Sequence, residues 1–88
     1  MTFQEFQAQV KSLYSNTSPE EFRDFSPEFT EDHYPGRKRY EWQDGFYAIA
    51  YDTVDEKPWF ACSGRGAHGW GDTLAEAMAD EEKNYAPQ

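Results

Sequence analysis

The chain has little of what most folds use for covalent support or chemistry. A lone cysteine, Cys62, excludes an internal disulfide and points to a reducing, cytoplasmic compartment. No apolar run approaches the ~18 residues of a membrane span and no charged-then-apolar leader is present, so neither a span nor a signal peptide is expected. Basic residues are scarce. Eight Lys and Arg against 17 Asp and Glu give a formal charge of −9, which repels nucleic-acid backbone and anionic membrane and attracts basic protein surfaces. The apolar fraction is only 38%, yet 18% of the chain is aromatic, so a few large rings must supply most of the buried area. At 88 residues, one core is possible and a second domain is excluded, so residues 1–88 read as a single small domain.

What is present centres on residues 37–63. Arg37-Lys38-Arg39-Tyr40-Glu41-Trp42-Gln43 and Phe46-Tyr47-Ala48-Ile49-Ala50-Tyr51 flank Asp44-Gly45, a hairpin signal because both turn residues tolerate positive φ. A two-residue Asp44-Gly45 loop would set Trp42 opposite Tyr47, Tyr40 opposite Ile49 and Lys38 opposite Tyr51. Trp59-Phe60-Ala61-Cys62 completes a three-stranded antiparallel meander. Its core face would carry Trp42, Tyr40, Tyr47, Ile49 and Tyr51.

The flanks read as helices. Thr2-Phe3-Gln4-Glu5 is a capping box, after which Phe3, Phe6, Val10, Leu13 and Tyr14 recur at helical spacing. Ser18-Pro19-Glu20-Glu21 opens a short second helix, placing Phe22 and Phe25 inward before Ser26-Pro27 ends it. After a glycine-rich loop over residues 63–71, Thr73-Leu74-Ala75-Glu76 caps a last helix with Leu74, Ala77, Met78 and Tyr85 on one face and Pro87 at its end. Glu81 falls among those apolar positions. The fold class is thus α+β: an N-terminal helix, a short helix, the meander and a C-terminal helix, with the helices packed on one sheet face.

Candidate chemistry is sparse. Gly64-Arg65-Gly66-Ala67-His68-Gly69 spells a dinucleotide fingerprint, but a second parallel strand and a ribose-binding acid do not follow it. A connecting loop is the stronger reading, with an anion held by Arg65 as the looser alternative. Cys62, His68 and His33 are too few and too dispersed for a structural zinc. Glu81 reads as a carboxylate paired with Lys38 or Arg39, or as a residue at the sheet rim, rather than as a catalytic base. No catalytic, cofactor or metal residue is assigned, and the chain reads as non-enzymatic.

The order helix, three strands, helix resembles the double-stranded RNA-binding domain. That family places lysines at the start of its last helix, where this chain has Asp72-Thr73-Leu74-Ala75-Glu76-Ala77, so the resemblance implies topology and not RNA binding. Separately, residues 46–51 followed by Gly71-Asp72-Thr73-Leu74-Ala75-Glu76-Ala77 are similar to the strand and Gly-Asp-Thr-x-x-Glu-Ala pattern of HicB-type antitoxins, without their DNA-binding tail.

The leading expectation is a small acidic domain that binds a basic protein surface through Glu20, Glu21, Asp24, Glu28, Glu31 and Asp32 on one side and Glu76, Asp80 and Glu82 on the other. Its sharpest form is an inhibitor that occupies a nucleic-acid-binding groove, in the manner of phage anti-restriction and anti-CRISPR proteins. Two alternatives use the sheet and its loop, through Arg37, Arg39, Phe46, Arg65 and Trp70. One is a toxin-neutralising antitoxin domain, and the other a nucleic-acid module with stacking rings beside Arg37-Lys38-Arg39.

Overall fold

A computed structural model describes residues 1–85; Pro87, expected to end the last element, lies outside that range. The architecture is α+β, with α1 (Phe3–Leu13), β1 (Phe22–Asp24), β2 (Arg39–Asp44), β3 (Tyr47–Asp52), β4 (Trp59–Cys62), β5 (His68–Gly71) and α2 (Leu74–Asn84). The strands form one antiparallel sheet in chain order, five strands rather than the three expected. No helix among the described residues is long and apolar enough to cross a membrane.

Both additional strands lie where turn-forming residues suggested something else. Ser18 and Pro19 start only a 3₁₀ turn, Pro19–Glu21, and a second turn follows at Ser26–Glu28. Between two prolines there is too little chain to offset helix nucleation. Phe22 instead pairs with Trp42 in an extended strand and buries its ring. Phe25 is half-buried and lies under the Arg23 guanidinium at 4.5 Å. At the other edge His68–Gly71 is a strand because its glycines face α2. A Cβ at Gly69 would collide with the backbone of Ala77 and Glu81, and one at Gly71 with Ala77 and Glu76.

The hairpin register also differs. Asp44 pairs with Tyr47, Trp42 with Ile49 and Tyr40 with Tyr51, so the two-residue loop is Gly45-Phe46. Gly45 has φ +60° while Phe46 keeps a negative φ, the pattern of a type II′ turn with glycine first. The slip moves each pairing by two residues and therefore leaves every side chain on its expected face.

Both helices lie on the Trp42 face. The Thr2 hydroxyl accepts the Glu5 amide at 3.1 Å and Glu5 accepts the Thr2 amide at 2.9 Å, closing the box that starts α1. Phe6 and Val10 are then sealed against Phe22, Tyr40, Trp42 and Trp59, with Phe6 stacked on Trp59 at 5.7 Å. Leu13, expected inward, is exposed, because α1 stops there and Tyr14 turns onto Trp42 at 4.8 Å. The Thr73 cap forms only half a box. Thr73 Oγ1 accepts the Glu76 amide, while the Glu76 carboxylate accepts from Asp72 instead. Leu74 and Ala77 bring α2 into the same core over Trp59 and Ala61.

This packing predicts that Gly69→Ala lowers stability by about 3 kcal/mol by overpacking. Gly45→Ala, where a Cβ meets open space, costs only about 1 kcal/mol of backbone strain. Urea midpoints compare the two, and equal losses would show that α2 does not rest on bare β5 backbone.

Candidate functional site

The arginines expected at the surface are spent inside the fold. Asp52 ends β3 opposite Arg39 and is only 2% exposed. It accepts two hydrogen bonds from Arg37, at 3.2 and 2.7 Å, one from Arg39 at 3.0 Å and one from the Val54 amide. Burial pushes its carboxyl up, but the hydrogen bonds from Arg37, Val54 and Arg39 outweigh that and hold it below the ordinary value of 3.8. Arg39 also binds Glu41 at 2.6 Å, and Arg37 lies over the Phe29 ring at 4.1 Å. In sequence Asp52 stands at the start of a polar connection, Asp52 to Pro58. Its place opposite a basic strand was the available signal.

Glu81 is paired, but not with Lys38 or Arg39. Its partner is Arg65 from the glycine-rich segment, at 2.7 Å, and the Ser63 hydroxyl donates to it at 2.6 Å. The same guanidinium reaches Glu82 at 2.6 Å and lies over Tyr85 at 4.3 Å. The Arg65 hydrogen bond, opposed by burial and aided by Ser63, holds the Glu81 carboxyl below 4.5. An anion in this loop would have to compete with both carboxylates for Arg65.

The structure divides the expected acidic surface. Asp24 on β1, Glu20 before it and Glu28, Glu31 and Asp32 in the connection after it are exposed and without a basic partner among the described residues. Glu21 turns inward and accepts from the Ser18 amide at 2.7 Å and the Trp42 indole at 3.3 Å. On α2, along the opposite edge, Glu76 is exposed and Glu82 holds Arg65. Asp80 accepts the outward Trp70 amide at 3.0 Å, and Asn84 donates to the His68 carbonyl, so α2 side chains cap the β5 edge.

The other sheet face carries no helix. Phe60, His68 and Trp70 cluster there with ring centres 5.3 to 6.1 Å apart. Phe60 and Trp70 border a depression of about 200 Å³ shared with Arg39, Ala50, Asp52, Asp55 and Pro58. Trp70 is 45% exposed and Phe46, at the hairpin tip, 82%. Cys62 is half-buried, its sulfur accepts the Gly64 amide, and His68 is its cross-strand partner. Among the described residues no group of three or more His, Cys, Asp or Glu converges as a metal site.

A larger hollow of about 380 Å³ opens on the helix-bearing face, lined by Tyr14, Tyr47, Ile49, Ala61, Met78, Arg65 and Glu82 among others. Nothing in the sequence pattern marks it, since its walls come from the end of α1, β3, β4, the segment after β4 and α2. Compared with protein-family models, curated proteins and solved structures, the chain matches none.

Asp52→Asn is expected to cost about 2 kcal/mol at pH 7, less than a fully buried pair because both arginines keep contact with water. Folded carboxylates with depressed pKa contribute fully above their ordinary values, 3.8 and 4.5 here, and the contribution is lost as pH falls through the folded values. The wild-type urea midpoint should therefore fall further between pH 7 and pH 3 than that of Asp52→Asn with Glu81→Gln. Parallel falls would refute the assignment.

Proposed function

We propose that this chain is a non-enzymatic, cytoplasmic binding domain that presents unneutralised carboxylates to a basic protein surface. In its sharpest form it competes with nucleic acid for that surface. One observation carries the reading: Arg37, Arg39 and Arg65 are each committed to carboxylates of the fold, while Glu20, Glu28, Glu31, Asp32 and Glu76 face solvent without a basic partner among the described residues. The negative field therefore extends outward from a body measuring 47 × 28 × 18 Å. Direct nucleic-acid binding is disfavoured on the same ground, because Arg37 and Arg39 would have to release Asp52 and Glu41 to reach phosphate.

A second reading uses the bare sheet face, as a toxin-neutralising antitoxin domain would. Exposure of Trp70 beside Phe60 and His68, with Phe46 exposed at the hairpin tip, favours it, since aromatic patches of this kind are common contact anchors.

A gel shift separates the two. A basic DNA-binding protein is loaded on a labelled duplex and this chain is added. The acidic-surface reading expects release of the duplex, weakening on the order of tenfold between about 50 and about 300 mM salt. It also expects that the triple change Glu28→Lys, Glu31→Lys and Asp32→Lys abolishes release. Release that survives this reversal but is lost in Trp70→Ala with Phe46→Ala would transfer the function to the sheet face.

A further inference from the structure

The hollow on the helix-bearing face has the chemistry of a cation receptor. α1 begins with Phe3 against Tyr40 and ends with Tyr14 on Trp42 and Tyr47. α2 begins beside Gly71 and ends beside His68. Both helices therefore run toward the same end of the sheet, and their C-terminal ends, each with about half a unit of negative partial charge, arrive together. Tyr14 caps one end, while Glu81 and Glu82 occupy the last turn of the other.

Between these ends lies the space of about 380 Å³, floored by Ile49 and Ala61, walled by Tyr14, Tyr47 and Met78, and closed at one side by Arg65, Glu81 and Glu82. That volume falls in the ordinary range for ligand clefts. Its polar side carries two carboxylates against one guanidinium, so a negative charge remains beside Tyr14 and Tyr47, whose ring centres are 5.6 Å apart. Aromatic faces, a soft thioether and residual negative charge favour a cation with an apolar stem. Arg65 already shows how such a group sits here, with its guanidinium over Tyr85 and its nitrogens on both carboxylates. Burial, together with Tyr47 and Glu81, raises the Tyr14 phenol above its ordinary value, as expected beside negative charge.

We infer that the hollow between the helix C-termini receives an arginine or lysine side chain of the partner, its stem on Ile49, Ala61 and Met78 and its charge between Tyr47 and Glu82. This rests on the proposed binding of a basic surface and names the pocket that would anchor it.

The test titrates the isotope-labelled protein with N-acetyl-argininamide and with its neutral isostere N-acetyl-citrullinamide, followed by amide NMR. Saturable shifts at Tyr47, Ile49, Ala61, Met78 and Glu82 are expected for the arginine probe, with a Kd on the order of 1 mM. Affinity should fall at least about fivefold in Tyr47→Ala and in Glu82→Gln. Tyr47 is 45% and the Glu82 side chain 69% exposed, and neither belongs to the buried core, so both variants should keep the folded spectrum. Equal binding of the citrulline probe would overturn the cation assignment. Shifts confined to Glu28, Glu31 and Asp32 would overturn the pocket while sparing the acidic-surface reading. If the arginine probe binds but Tyr47→Ala still releases duplex in the gel shift, a free cation is the ligand and the partner assignment falls.

Discussion

Two helices of 11 residues can seal only one face of a five-stranded sheet, and the rest of the molecule follows from that limit. At about 4.8 Å per strand the sheet is roughly 19 Å across, and two helices packed side by side cover about that width once. The covered face takes Trp42, Tyr40, Phe22, Ile49 and Trp59. The other must live with water, so it carries Ala48 and Ala50 on its central strand, between charged Arg39 and Glu41 on one side and Phe60 and Cys62 on the other. Where the helices end they do not meet over β3 and β4, and the hollow beneath Tyr14 and Met78 is the consequence.

The same limit explains where the arginines go. With no helix above them, the bare face and the long connections need another fastening. Arg37 supplies one by joining Asp52 on β3 to the rings of Phe29 and Tyr34 before β2. Arg65 supplies the second by tying the segment before β5 to α2 through Glu81 and Glu82. Planar guanidinium suits both places, because it hydrogen-bonds carboxylates in its plane while its face lies on a ring. Structural demand thus consumes positive charge that the chain has little of. What remains outward is a surplus of carboxylates over the exposed Lys11, Arg23, Lys38, Lys57 and Lys83, and the functional reading is a reading of that surplus.

Elements fixed by local rules were legible in the sequence. Thr2 and Glu5 announced α1, Thr73 announced α2, and alternation along β2 and β3 named the buried face correctly even under a register wrong by two residues, because a two-residue slip preserves side-chain parity. Elements fixed by tertiary contact were not. Phe22 is extended because Trp42 offers a pairing partner and a buried site, a long-range circumstance that the Ser-Pro motifs on either side conceal. Gly69 and Gly71 resemble loop glycines until α2 is placed on them. Asp52 looks like a turn residue until Arg39 is set across from it, and Arg65 until Glu81 faces inward.

The division of the acids constrains any partner. Asp24 on β1 and the acids of α2 belong to opposite edges of the sheet, roughly 19 Å apart across the strands. At physiological salt the Debye length is about 8 Å, so the two groups scarcely sense each other and neither reinforces the other's field at a distance. A partner that uses both must therefore span the sheet physically. A partner that docks on one edge alone would feel only that edge's carboxylates. The acidity of this chain is therefore better described as two short-range patches joined by a neutral sheet than as one continuous field.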